Sequence, residues 1–384
     1  MKYLRTPIAV VLPIALLVIA LCAMKPVEKP EPPDNLIYGG EWPDPNTMKI
    51  PPDQTIFHNE ALSTFESEGN FYMSRFNEGW ILMTHLFVWK YGPIRGWGIY
   101  ALTISPDGKR YFSKHQLNEK KVKLASDHLF VMEGANSVEG KDGVYRVKFN
   151  IENFACDLTY KNNVPAFRPG DGYVWYSKKD NIFQFSLLTC PWADVTGTIK
   201  LPDRSLQVKG EGYSDKGRAT IFLTKIAPYL YSIRVFSPPG TPREDRWMFG
   251  LLEQQMHPSY GSKRIPTLHL CHGDKIVMAT KFYDLEPSGW APGKDTPYDY
   301  PRRIKIRAKD KGWILEGEYV CGEMFDFLDV LAELPAWAQK MAQKFIKRPV
   351  FFRSHGKFDA NITSPDGKRT HISLIGPHEY VVSK

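Results

Sequence analysis

Residues 195–219 read VTGTIKLPDRSLQVKGEGYSDKGRA, and their reading decides the fold. Two runs that mix β-branched residues with polar ones flank Pro202-Asp203-Arg204, the pattern of two antiparallel strands joined by a tight turn. The second run ends in Gly212-Tyr213-Ser214-Asp215-Lys216-Gly217. That spacing is one residue too long for the G-x-S-x-G elbow and does not fit G-x-G-x-x-G. Both motifs open a helix, whereas TIFLTKIAPYLYSIRVF, which follows, reads as strand. The stretch is therefore a β-hairpin with an aspartate near one end.

Similar runs extend in both directions: FYMSRF, WILMTHLFVW, GIYALTI, VYRVKFNI, YVWYS, FQFSLL, KIVMATKFY, RRIKIRA and GWILEGEYV, divided by Gly, Pro, Asn or Asp. Strands of this length with turns between them form meandering antiparallel sheets, closed as barrels or sandwiches. Composition agrees, with 13% aromatics, 30 prolines and 29 glycines in 384 residues. The expected fold is all-β, with two barrel or sandwich domains at 55–194 and 195–384. SPDGKR occurs at 105–110 and again at 364–369, a repeat that two copies of one β-domain would explain.

Two segments depart from this pattern. Lys2 and Arg5 precede an uncharged apolar run, 7–23, so residues 1–24 are expected to be a signal peptide or membrane anchor. A Pro-rich linker, 25–54, follows. The expected location is the cell envelope, periplasmic or membrane-anchored. Residues 323–348 show apolar residues at helical intervals around Pro335, which predicts two short helices. The second, 336–348, is basic and amphipathic, suited to cap a barrel or to touch a membrane surface. The net charge of +8 is dispersed and no nucleic-acid module accompanies it, which excludes nucleic acid as the expected partner. Cys156, Cys190, Cys271 and Cys321 are widely spaced, consistent with two disulfides or with buried thiols.

No motif for a common cofactor is present, and none is expected. His269, Cys271 and His272 have no second pair of ligands at metal spacing, and strand alternation sends His272 away from the other two. What stands out is polar chemistry inside apolar strands: His85 in WILMTHLFVW, Trp97 in RGWGIY, Tyr213 with Asp215, and His378 with Glu379 in GPHEYVV. In an apolar cavity a few such groups orient a ligand, and a buried carboxyl there resists ionisation and can serve as an acid.

The hairpin resembles the lipocalin-like superfamily that includes AttH-type bacterial proteins, hydroxyneurosporene synthase (the carotenoid hydratase) and the fungal survival-factor proteins. The matching features are Val195-x-Gly197, Gly210-x-Gly212-Tyr213-x-Asp215, the aromatic run 79–104, Arg246-Trp247, Tyr300-Pro301 and Gly376-x-x-Glu379. The resemblance spans roughly 55–384. It implies two lipocalin-like barrels end to end, a hydrophobic ligand near their junction, and Asp215 as a general acid in catalytic members, with Glu379 as a second candidate. Tyr213, His85, Trp97, Trp247, Tyr300 and His378 are the candidates for ligand contact. Lys216, where many relatives have histidine, is expected to hold Asp215 ionised. Two functions follow as expectations, a carrier of a lipid or isoprenoid and a cofactor-free hydratase, isomerase or cyclase; a ligand-free envelope scaffold is the third.

Overall fold

A computed structural model describes residues 37–383 except 40, 59–62, 222–227, 295 and 330–348. The expected signal or anchor, 1–24, and the basic helix, 336–348, lie outside the described residues. The first sheet has twelve strands. They are β1 (Phe65–Phe76), β2 (Ile81–Tyr91), β3 (Ile94–Ile104), β4 (Arg110–Leu117), β5 (Lys123–Leu124), β6 (Leu129–Glu133), β7 (Asn136–Lys141), β8 (Val144–Ile151), β9 (Phe154–Asn162), β10 (Tyr173–Ser177), β11 (Ile182–Leu201) and β12 (Arg204–Ala219). The second sheet takes β13 (Tyr229–Phe236), β14 (Trp247–Gln255), β15 (Arg264–His272), β16 (Lys275–Thr280) and β17 (Tyr283–Ser288). After a two-strand ribbon, β18 (Ala291–Pro292) and β19 (Asp299–Tyr300), it is completed by β20 (Arg303–Asp310), β21 (Trp313–Asp329), β22 (Val350–Thr363) and β23 (Arg369–Val382).

Alternation builds these strands. In β8, VYRVKFNI, every second residue is buried, and RIKIRA in β20 repeats the pattern. The two sheets also share one strand order. β4-β3-β2-β1-β12-β11-β9-β8-β7 in the first corresponds to β16-β15-β14-β13-β23-β22-β21-β20-β17 in the second. In each, the first strand pairs with the last, curling the sheet around its own apolar core. Tyr72, Trp97, Phe149 and Leu158 fill one core; Ile233, Phe249, Tyr319 and Phe358 fill the other. A third core, with Met73, Met83, Trp192, Tyr213, Phe236 and Met248, lies between the sheets.

Four expectations change. The division at 195 moves to the segment between β12 and β13, because the whole hairpin 195–219 belongs to the first sheet: β12 pairs with β1, from Ser67 opposite Ala219 to Phe76 opposite Gly210. Its glycines serve this packing. Gly197 has φ +147, and a Cβ there would sit 2.0 Å from the Asp157 carbonyl oxygen; at Gly210 it would lie 2.2 Å from that of Arg75. The expected first helix from 323 is strand as far as Asp329, with register shifts on either side of Met324. Such bulges insert unpaired residues and stretch a two-residue period toward helical spacing. The linker ends early, since Tyr38 is buried and the Asn46 carboxamide bonds both backbone groups of Ile276 at 2.9 Å. Finally, the SPDGK turns are not equivalent: one joins β3 to β4 and the other β22 to β23, whose topological counterpart is the 201–204 turn. The four described cysteines are buried free thiols.

Candidate functional site

Strand register places side chains of the first sheet in transverse rows that face the second sheet. Asp215 on β12 stands opposite Phe71 on β1, Phe71 opposite His85 on β2, and His85 opposite Tyr100 on β3. The second sheet carries a row of its own, with Ser232 on β13 opposite Glu379 on β23, Glu379 opposite Arg353 on β22, and Arg353 opposite Asp326 on β21. One register step along β13 from Ser232 is Arg234. Each row crosses four strands, about 14 Å at the usual strand spacing.

Ion pairs connect the two rows. Arg234 Nη2 donates to Asp215 Oδ2 at 3.2 Å, and its guanidinium lies 4.4 Å from the centre of the Tyr213 ring and 5.0 Å from that of Phe71. Arg353 donates to Glu379 at 2.5 Å and to Asp326 at 2.6 Å, and Arg110 of β4 reaches the same Asp326 at 2.7 Å from the first sheet. Three carboxylates thus meet three guanidinium groups at the junction. The arginines are held by aromatic faces as well as by charge, which suits a planar guanidinium.

The environment separates the two candidate acids. Burial pushes the Asp215 carboxyl above its ordinary value, and Arg234 and the hydrogen bond from Tyr213 only partly oppose it. Burial also acts on Glu379, but Arg353 and Arg234 outweigh it and hold that carboxyl below its ordinary value. Asp215 and Glu379 nonetheless keep 25% and 16% side-chain exposure, so a small molecule can reach both. Burial lowers His85 to about 4, leaving a neutral imidazole, and raises Tyr100 to about 12. Lys216 does not act on Asp215 as expected. Alternation turns it to the opposite face, where its ammonium, fully buried, pairs with Glu68.

The structure therefore brings Asp215, Tyr213, His85 and Glu379 together, and it places the other candidates elsewhere. Trp97 points into the core of the first sheet, packed on Phe57. His378 points into the core of the second, its Nδ1 3.6 Å from Cys321 Sγ, because its neighbour Glu379 takes the junction face. Tyr300 stacks on Phe352 beside that core. Trp247 stacks on His272 at 4.0 Å and lines a separate pocket of about 320 Å³ with Asp245 and Lys368. None of that pocket's lining residues belongs to the charged rows. Arg234, Arg353 and Asp326 were missed, although YSIRVF and VFFRS carry the signal that singled out His85, a polar residue inside an apolar strand.

No protein-family profile matches the chain, and no curated protein matches it in sequence. Its fold matches solved structures. CghA in complex with Sch210972 has a TM-score of 0.64 at 12% identity, over 90% of this chain and 97% of that one. An AttH-type protein from Nitrosomonas europaea gives 0.58 at 14%, over 87% and 96%. Kievitone hydratase from Nectria haematococca gives 0.53 at 12%, over 88% and 97%. At such identities the likeness is one of architecture: the chain has the all-β, lipocalin-like fold of these proteins.

Proposed function

We propose that this chain binds a hydrophobic small molecule at the junction of its two sheets and carries out proton chemistry on it without a cofactor. The observation that supports this reading is the pair of reachable carboxyls, Asp215 raised and Glu379 lowered, beside a wall of Phe71, His85 and Tyr100. Environments that push two acids apart assign their roles, the raised one as acid and the lowered one as base. Asp215 would deliver its proton to a carbon–carbon double bond of the ligand. Water would add to the resulting cation, and its proton would pass to Glu379. Exchange with solvent would then return a proton to Asp215. Omitting the water step gives isomerisation or cyclisation, with Glu379 taking a proton from the cation. Among the structural neighbours kievitone hydratase is named as a hydratase. The apolar segment at 7–23 supports export to the cell envelope.

The carrier reading is favoured by one observation, the Asp215–Arg234 ion pair, which stabilises the charged form of the proposed acid. Asp215→Asn separates the two. Once mass spectrometry of lipid extracts from the purified protein identifies the ligand, the enzyme reading expects turnover to fall by about 10²–10⁴-fold while binding persists. Turnover that survives the substitution overturns the acid assignment, and recovery of no hydrophobic ligand from native material counts against both readings.

A further inference from the structure

The two sheets share a strand order, but they finish differently at the place where the first strand parts from the last. In the first sheet β1 ends at Phe76 opposite Gly210, and residues 204–209 of β12 run on beyond it. The turn 77–80 fills that gap. The Asn77 backbone N–H donates to the Lys209 carbonyl at 2.9 Å, and Trp80 is buried with the Arg204 guanidinium 5.6 Å from its ring centre. The charges at this end also satisfy one another, since Asp203 pairs with Lys109 at 3.1 Å and with Arg204 at 3.2 Å.

In the second sheet β13 ends at Phe236 opposite Ile375, and residues 369–374 of β23 run on in the same way. Here the connection is the longer loop 237–246, which begins Ser237-Pro238-Pro239-Gly240 and makes no backbone bond to 369–374 among the described residues. Its prolines have no N–H to donate. The gap therefore stays open, as the pocket of about 320 Å³ between this loop and β23. Its inner wall is apolar, made by Trp247, Ile372 and Leu374 of the second core. Trp247 lies flat on His272, its direct partner on β15.

The rim of the pocket carries one charge of each sign, Lys368 and Asp245, and neither forms an ion pair among the described residues. Burial holds the His272 imidazole below its ordinary value, while Asp245 pulls it up and Lys368 pushes it down, so both charges stand near the aromatic stack. A simple anion drawn to Lys368 would meet Asp245, and a simple cation drawn to Asp245 would meet Lys368. A molecule that bears both charges answers both residues. The volume is at the small end of the range for ligand pockets, which suits a compact molecule.

We infer that this pocket is a second binding site, for a small zwitterion: a free α-amino acid with an aromatic or large apolar side chain. That side chain lies against Ile372, Leu374 and the Trp247–His272 stack, the carboxylate at Lys368 and the ammonium at Asp245. The hydroxyls of Thr241 and Thr370 on the rim offer further hydrogen bonds. The inference is independent of the chemistry proposed at the junction, with which the pocket shares no residue.

The test is calorimetry on the full chain with three probes: L-phenylalanine, 3-phenylpropionate, which lacks the ammonium, and 2-phenylethylamine, which lacks the carboxylate. L-phenylalanine is expected to bind with a Kd of about 1 mM or below, and about threefold to fivefold more tightly than either of the others, the worth of one partly exposed ion pair. Lys368→Met should weaken L-phenylalanine by the same factor without weakening 2-phenylethylamine. Asp245→Asn should weaken L-phenylalanine without weakening 3-phenylpropionate. Both residues are exposed, so neither change threatens the fold. Absence of L-phenylalanine binding, equal affinity for all three probes, or an affinity that survives both substitutions would overturn the assignment. Binding of 3-phenylpropionate alone would make the pocket an anion site and overturn it as well.

Discussion

The junction between the sheets contains two arginine–carboxylate clusters, and they differ in what surrounds them. In the inner one, Arg75 pairs with Glu211 at 2.8 Å and also donates to the Ser237 carbonyl at 2.6 Å. Glu211 accepts from Trp192 Nε1 at 3.0 Å and lies 3.6 Å from Arg246, which in turn pairs with Asp194. The central pair is buried, with side-chain exposures of 5% and 7%, and both carboxylate oxygens of Glu211 have partners. In the outer one, Asp215 and Glu379 remain reachable beside half-buried aromatic residues. The topology makes the two related, since Arg75 and Arg234 lie on corresponding strands, β1 and β13. A charge pair saturated with partners fixes two sheets together, whereas one left partly open beside apolar walls is available for chemistry.

The comparison can be broken most sharply by Glu211→Ala. It strands buried Arg75, and an expected loss of about 3–5 kcal/mol in unfolding free energy should appear in urea denaturation. Asp215→Asn should cost only about 1 kcal/mol in the same measurement, because the pair it removes is partly exposed and net stabilisation by such pairs is small. Equal losses would erase the distinction between the two ends.

Acid titration sharpens it further. The lowered Glu379 carboxyl contributes stability that is present above its unfolded value of 4.5 and is lost as pH falls through its folded value; Glu379→Gln should flatten that acid limb. Asp215 has the opposite sign. Its raised carboxyl contributes stability that is full below 3.8 and is lost as pH rises through the folded value, so Asp215→Asn should remove that decline. Thermal midpoints measured across pH 2–7, a span chosen to bracket roughly both transitions, would check both, and like-signed responses would contradict the assignment of separate roles. The smallest effect is expected from Arg110→Gln. Its side chain is 40% exposed, so losing its pair with Asp326 should change stability by about 0.2–1 kcal/mol. A larger loss would mean that the outer end, too, is a structural clasp.

Much of the fold was legible because strand formation is local. Alternation, turn residues and aromatic content identified β1 to β3, β8, β12 and β20 without reference to any partner. The division of the chain was not, because β12 joins β1 across more than a hundred intervening residues, and hydrophobic pattern carries no record of which strand completes which sheet. Residues 323–329 were misread because bulges in β21 change the local period. At the site, Tyr213 and Asp215 were found as the residues that end the hairpin's second strand and match the family motif, and His85 was found as a polar residue in an apolar run. Trp97 and His378 met similar criteria but face the other way.

By itself the sequence determined that this is an all-β protein and that Tyr213 and Asp215 lie together towards the end of one strand. Those are consequences of backbone geometry with a two-residue period. The tertiary structure decided that this face meets a second sheet, that Arg234 rather than Lys216 is the partner of Asp215, and that the His85 ring lies over Gly69. Register and sheet packing bring together residues far apart in the chain, and burial at their meeting point sets the ionisation of Asp215 and Glu379 in opposite directions.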